Sequence, residues 1–340
     1  MYIFLIIITV VIIISVYYML KGGKGVACLM YHNVFSEISD GIISKDEFEK
    51  HMEHIKEMKT FKMEELESID YKLPENAILV TFDDGYRNSY TNAFPILKKY
   101  NIKATIFLNT KYIGTDMSYL NWNEIQEMYE SGLIDFQLHT HTHTPVIRKP
   151  QIKGFFQEDE GEFVKREYFS IFNLNDGEKD FRNFNFTGLP VFKIRSGIAL
   201  RGMRIREDFL KKYEKIVKNS KFQSLSIKER KKYLNRLFFQ NKSEFFQEYS
   251  EEDFNRRVEF EIGENRRIIE EKLNKKAEYL AYPWGHGYEG DIKVLENLGI
   301  KGFIFTKEGK NKTDFNIKKI VRINGDKIKK YDDFLKKIKI

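Results

Sequence analysis

The sequence predicts an α/β protein built on a parallel sheet or barrel. Apolar runs of strand length alternate with helix-like stretches between residues 77 and 138, and the same alternation returns between 264 and 306. Several of these runs end on chemistry-bearing residues: Tyr31-His32, Asp83-Asp84-Gly85 and His139.

Taken in chain order, the first segment is the least polar. Met1 to Leu20 carries no charged side chain and is about as long as a bilayer core requires, so residues 1–20 read as a transmembrane signal-anchor. A cleavable signal peptide would have a shorter apolar stretch of roughly 7 to 15 residues, a basic leader and small residues at a cleavage site. Residues 21–24, Lys21-Gly-Gly-Lys24, form a linker, and the positive-inside rule applied to its two lysines would put the body in the cytoplasm. Gly25 to Met30 is a short buried strand, followed by a helix over Lys45 to Met58 whose His51 and His54 are expected on a solvated face. A strand over Ala77 to Phe82 leads into a helix over Ser89 to Tyr100, then a strand over Lys103 to Leu108 and a helix over Asn123 to Glu130. Ser131-Gly132 ends that helix, and Ile134 to Leu138 is the next strand. Between 147 and 254 the alternation lapses, so this stretch reads as an insertion. It is rich in aromatics such as Phe155, Phe156, Phe169, Phe172, Phe184 and Phe186, expected to form its own core, with helices around Glu207 to Lys218 and Ser226 to Phe239. The alternation resumes with a helix over Glu264 to Lys272, a strand over Ala277 to Tyr282, a helix over Asp291 to Leu298 and a strand over Gly302 to Thr306. The domain division is therefore 25–146 with 255–340, interrupted by 147–254.

Composition narrows the chemistry. With 42% hydrophobic and 31% charged positions the 340 residues can fill one large core or two modest ones. A single cysteine, Cys28, excludes intramolecular disulfides and cysteine-built zinc cages, so a metal site must use His, Asp or Glu. Residues 301–340 hold 13 basic and 5 acidic side chains, which reads as a solvated basic face or a contact for an anionic wall polymer or lipid surface. The basic excess in this stretch has no interleaved stacking motif, which argues against nucleic acid as a partner.

Three of the seven histidines fall within five residues, His139, His141 and His143. In an extended chain the outer two stand ~13 Å apart at roughly 3.3 Å per residue, too far for one ion held by each imidazole at ~2.1 Å. Adjacent pairs through His141 would then bind. If the chain turns helically after His139, the outer pair shares a face instead. Both arrangements predict a divalent metal. Asp83 and Asp84 end an apolar strand, where two carboxylates are costly without compensation, and Gly85 lets the chain turn so that both can reach one site. One carboxylate can then serve as ligand and the other as base for a bound water.

Thr81-Phe-Asp-Asp-Gly85, Phe94-Pro-Ile-Leu-Lys-Lys-Tyr100 and Lys103-Ala-Thr-Ile-Phe107 resemble the polysaccharide deacetylases of the NodB-homology type, carbohydrate esterase family 4. Trp122 to Gly132 with His139-Thr-x-Thr-His143 resembles the family's second motif, and Tyr279-Leu-Ala-Tyr-Pro-Trp-Gly285 its third. The opening Leu29-Met-Tyr-His-Asn-Val34 is similar to the start of a permuted branch that includes the poly-N-acetylglucosamine deacetylases. The resemblance covers roughly 25–146 and 255–340 and leaves the insertion unaccounted for. It implies a distorted (β/α)7-type barrel with metal ligands Asp84, His139 and His143, catalytic base Asp83 and general acid His32. It also implies an oxyanion donor in the backbone N–H of Trp284 and a substrate floor of Tyr282, Pro283 and Trp284. Two departures stand out: Ala281 replaces an arginine that many members use to orient the base, and Trp284 replaces a tyrosine.

The function implied is metal-dependent removal of N-acetyl groups from an amino-sugar polymer, with zinc the most compatible ion and Co, Ni, Mn or Fe also accommodated by the ligand set. Because such a polymer lies outside the cell, the body is expected on the extracytoplasmic side of the cell membrane, on a single-pass anchor. An O-acetyl esterase using the same metal, or a catalytically decayed, membrane-tethered glycan-binding protein, are the competing expectations. His286, after the third motif, either lines the substrate cleft or sits in a flexible loop.

Overall fold

The computed structural model describes residues 25–36, 42–159, 161–172 and 181–338. The expected membrane span and linker, residues 1–24, lie outside these. No helix among the described residues is long and apolar enough to cross a membrane. The chain divides into two compact units. The first takes the described parts of Met1–His139, with Asn265–Gly285 and Gly299–Ile340, and the second those of Thr140–Glu264 with His286–Leu298.

The first unit is organised by a parallel sheet. Its order is Gly302–Ile304, Tyr279–Ala281, Ile134–Leu138, Ala104–Leu108, Ala77–Phe82, Ala27–Tyr31 and Ile323–Asn324, with the short strand Lys59–Thr60 also pairing beside Ala77–Phe82. Neighbours along the path run parallel. Every residue of Ala27–Tyr31, Ala77–Phe82, Ala104–Leu108 and Ile134–Leu138 is buried, which explains why Ala27–Tyr31 and Ala77–Phe82 read as near-continuous apolar runs; Ile134–Leu138 alternates in sequence, yet its Asp135 and Gln137 are buried as well. Among the described residues the two end strands share no ladder, although Ile304 makes a parallel bridge to Ile320 just before Ile323–Asn324, and the path is a parallel-strand half-barrel. Parallel alignment brings the C-terminal strand ends to one edge, and His32, Asp83, His139 and Tyr282 each follow such an end.

Local chemistry sets the helix boundaries. The Ser44 hydroxyl accepts the Glu47 N–H while the Glu47 carboxylate accepts the Ser44 N–H, starting helix Lys45–Ile55, and Asn121 with Glu124 starts Trp122–Glu130 in the same way. The single helix expected over Ser89 to Tyr100 is a π turn, Ser89–Ala93, followed by an α-helix, Phe94–Lys99. Pro95 supplies the physical reason, since it has no N–H with which to continue an α ladder back to Thr91.

His51 is a correction: it is 2% exposed, not solvated. The helix sets it beside Phe48, Met52 and Ile55 on the buried face, where its ring stacks on Phe334 at 3.8 Å and 6° and its Nδ1 hydrogen-bonds the Tyr31 hydroxyl at 3.0 Å. His54 hydrogen-bonds the Tyr331 hydroxyl at 2.8 Å.

The second unit contains an antiparallel sheet that the sequence did not predict, in the order Phe246–Glu248, Met203–Ile205, Pro145–Phe155 and Pro190–Ser196. Register shifts along Pro145–Phe155, which contains Pro150 and Gly154, break the period-two pattern that would have revealed it. Phe192, Phe209, Phe238 and Phe246 are buried with every pair of ring centroids 5.5 to 6.1 Å apart. This second unit therefore carries a hydrophobic core of its own.

Burial, followed by the charge of His54, pushes the His51 pKa down from 6.5 to about 3. The unfolded chain takes up this proton near 6.5 and the folded chain only near 3, so the unfolded state binds more protons between them and stability falls as pH drops through that window. In denaturant titrations at a series of pH values, His51→Gln should flatten the acid-side slope by up to about 1.4 kcal/mol per pH unit. Identical slopes for the two proteins would refute this account.

Candidate active site

Asp83 and Asp84 emerge from the wholly buried strand Ala77–Phe82, and the turn after it is left-handed, with Asp84 at φ 72° and Gly85 at φ 78°. Gly85 is required twice over, because a Cβ there would sit 2.8 Å from the Leu108 side chain in a conformation that L-residues disfavour. Asp83 is 1% exposed. Its two oxygens accept from the two terminal nitrogens of Arg322, each at 2.7 Å, a bidentate pair in which the arginine is itself fully buried. Arg322 also donates to the Phe305 carbonyl at 3.1 Å and the Thr81 hydroxyl at 3.2 Å. Burial works to raise the Asp83 pKa, but the Arg322, His139 and His32 charges outweigh it and hold the carboxyl below the usual aspartate value.

His32 follows strand Ala27–Tyr31. Its Nδ1 hydrogen-bonds Asp326 Oδ2 at 2.6 Å, its backbone N–H donates to Asp326 Oδ1 at 3.2 Å, and its Nε2 stands 4.0 Å from Asp83 Oδ2. Burial lowers the His32 pKa, yet the hydrogen bond and charge of Asp326, with Asp83 and Asp84, push it up to about 9.

His139 ends strand Ile134–Leu138 and is 2% exposed. Its Nδ1 lies 2.8 Å from the Ala281 carbonyl, its backbone N–H donates to Leu108, and its own carbonyl accepts from Asn109. A carbonyl partner at Nδ1 fixes the proton there and leaves Nε2 as the ligand nitrogen, 3.4 Å from Asp84 Oδ1. The chain beyond is neither extended nor helical. Thr140 at φ 73° and His143 at φ 54° are left-handed, and the His143 N–H donates to the Thr140 hydroxyl. This kinked turn brings the outer histidines together. One ligand atom from each of Asp84, His139 and His143 lies within 4.8 Å of the others, and all three residues are buried. His141 is not part of the group, and its ring meets Phe260 edge-on at 5.4 Å.

One carboxylate and two imidazoles, converging in this way with a carbonyl behind one ring, fit a divalent metal of the zinc class and leave coordination positions open.

The third motif is tied to the same centre through the Ala281 carbonyl. Trp284 follows in a tight turn at φ 54°, where the Gly285 N–H donates to the Tyr282 carbonyl at 2.7 Å. Tyr282, expected on a substrate floor, is 1% exposed with its ring stacked on Phe303 and against Phe305, so its side chain supports the turn from within. Pro283 is buried as well, and Trp284 is half-buried. His286 is anchored, with Arg195 and the Ser196 N–H on its ring nitrogens, and burial and the Arg195 charge push its pKa down to about 4.

Three residues near these groups escaped the sequence reading. Arg322 and Asp326 belong to a stretch read only as a basic face; their signal was an arginine inside the apolar run Ile320-Val-Arg-Ile323 and an aspartate after it. Glu167, whose Oε1 is 3.3 Å from His143 Nδ1, carried no signal.

Residues 70–165 match the family model described as polysaccharide deacetylase. A poly-beta-1,6-N-acetyl-D-glucosamine N-deacetylase of Staphylococcus epidermidis is 37% identical over 113 residues, 31% of this chain and 39% of that protein. The chain thus spans about two fifths of the length of such curated relatives. Among solved structures, a de-N-acetylase from Aggregatibacter actinomycetemcomitans superposes with a TM-score of 0.57 over 91% of this chain and 99% of that one, at 16% identity. IcaB from Ammonifex degensii gives 0.52 over 92% and 94%, at 19% identity. These likenesses show a shared parallel-strand α/β half-barrel, and the resemblance read from the motifs is borne out.

Zinc binding to the full chain, followed calorimetrically, should weaken by at least about tenfold in Asp84→Asn and in His143→Ala, because each removes one of the three candidate ligands. His141→Ala should bind as the parent does. Equal affinity in all four proteins would remove the metal centre from this site.

Proposed function

We propose that this chain, with a polysaccharide-deacetylase segment over residues 70–165, is a metal-dependent N-deacetylase of an amino-sugar polymer, with poly-N-acetylglucosamine the favoured substrate. The observation that carries the reading is the grouping of Asp83, paired with Arg322, and His32, paired with Asp326, beside the Asp84, His139 and His143 ligand set. A divalent metal, zinc by preference, held by those three residues would acidify a water and polarise the acetamide carbonyl.

The remaining roles belong to side chains. Asp83 stays ionised under the Arg322 guanidinium and accepts a proton from the attacking water. His32 is kept protonated by Asp326 and donates to the departing nitrogen as the C–N bond breaks. Acetamide and water become amine and acetate. The Trp284 N–H serves the oxyanion, and Trp284 and Pro283 contribute the local substrate surface, with Tyr282 supporting them from beneath. Arg322 does for the base what an arginine at position 281 does in many relatives of this motif pattern. The body works outside the cell membrane on the residue 1–20 anchor. Proteolysis of intact cells should therefore remove it, and a protected body would overturn that orientation.

The activity is tested by acetate release from poly-N-acetylglucosamine, chitooligosaccharide and an O-acetylated glycan. N-acetyl substrates should react, with kcat lowered roughly 10²–10⁴-fold in Asp83→Asn. Asp326→Asn removes the group that raises the His32 pKa, so the alkaline limb of kcat/KM should move to lower pH. Activity confined to O-acetyl esters, or an alkaline limb that stays in place, would contradict the assignment.

A further inference from the structure

The helix Ile227–Gln240 turns two different faces to its surroundings. Leu234 and Phe238 are fully buried in the phenylalanine core of the second unit, which fixes the rotation of the helix. At 100° per residue, Lys228, Lys232, Arg236 and Phe239 then fall within about 80° of arc on the opposite side. All four are exposed, Phe239 to 77%, and Tyr233 at 47% flanks them. Among the described residues no carboxylate pairs with Lys228, Lys232 or Arg236. The excess of positive charge extends through the neighbouring sequence, since residues 201–242 hold 14 lysines and arginines against 4 acidic side chains.

We propose that this face docks on an anionic lipid bilayer surface. Three cations spaced one turn apart meet the phosphates of acidic headgroups, and the phenylalanine among them enters the boundary between headgroup and acyl chain. A hydrated polyanion would satisfy the cations but would leave Phe239 and Tyr233 in water. An interfacial lipid layer takes both kinds of side chain, and this favours it as the occupant. The inference stands independently of the proposed enzymatic activity.

The test uses the full chain in lipid nanodiscs with a polarity-sensitive fluorophore on Gln240→Cys, which lies on the exposed side of the same helix. Labelling is selective because Cys28 is fully buried, with its thiol pushed up to about 12 by that burial. Discs containing phosphatidylglycerol should give a blue-shifted emission shielded from aqueous iodide, and phosphatidylcholine discs should not. Adding the triple substitution Lys228→Gln, Lys232→Gln and Arg236→Gln, with circular dichroism unchanged, should abolish the shift, and Phe239→Ser should reduce it at least twofold. A shift that survives the triple substitution with circular dichroism unchanged would place the lipid contact elsewhere and would overturn the proposal. Equal emission in the two kinds of disc, or a shift produced only by soluble polyphosphate, would overturn the proposal.

Discussion

A carboxylate with 1% exposure at the end of an apolar strand is tolerable only if another charge answers it, and the Asp83–Arg322 pair supplies that answer. The desolvation cost of two buried ions is offset here by a bidentate geometry and by two further acceptors on the guanidinium. Because those acceptors belong to Thr81 and Phe305, one side chain ties strand Ala77–Phe82 to the chain just after Gly302–Ile304. Strand Ile323–Asn324 begins at the next residue and pairs with Ala27–Tyr31. The position of the candidate base, the edge strand and the segment bearing Asp326 therefore rest on a common buried interaction.

The parallel sheet was legible because its strands are written as short runs set off by helix stops and turn residues, near-continuously apolar in Ala77–Phe82 and alternating in Ile134–Leu138. The candidate ligands were legible for a related reason: Asp84 and the histidine cluster stand directly at the ends of such runs. The left-handed turn that joins His139 to His143 was not, since threonine and histidine give no warning of positive φ. Arg322 was hidden by its surroundings. In a tail with 13 basic side chains, one arginine committed to the interior is indistinguishable by composition from those in solvent. The substitution at Ala281 suggested a weaker hold on the base, whereas the guanidinium arrives from 41 residues further along the chain.

The second unit follows another logic. Its strands are irregular and its polar content is high, so pattern reasoning found only its helices. Its coherence comes from aromatic volume, with Phe192 packed against four other buried rings, and from caps such as Ser226 with Glu229 that start helix Ile227–Gln240 at a defined residue. The rotation imposed by that core is what turns a run of lysines and arginines into a surface with a direction.

The partnership of His32 with Asp326 spans 294 residues of chain. At a synthesis rate of roughly 5–20 residues per second, the histidine waits about 15–60 s for its aspartate to be made. During that interval a nascent chain can assemble the first strands and the segments bearing Asp84, His139 and His143, while His32 still lacks the carboxylate that raises its pKa. The surroundings of His32 are thus completed late in synthesis, after most of the polypeptide has been made.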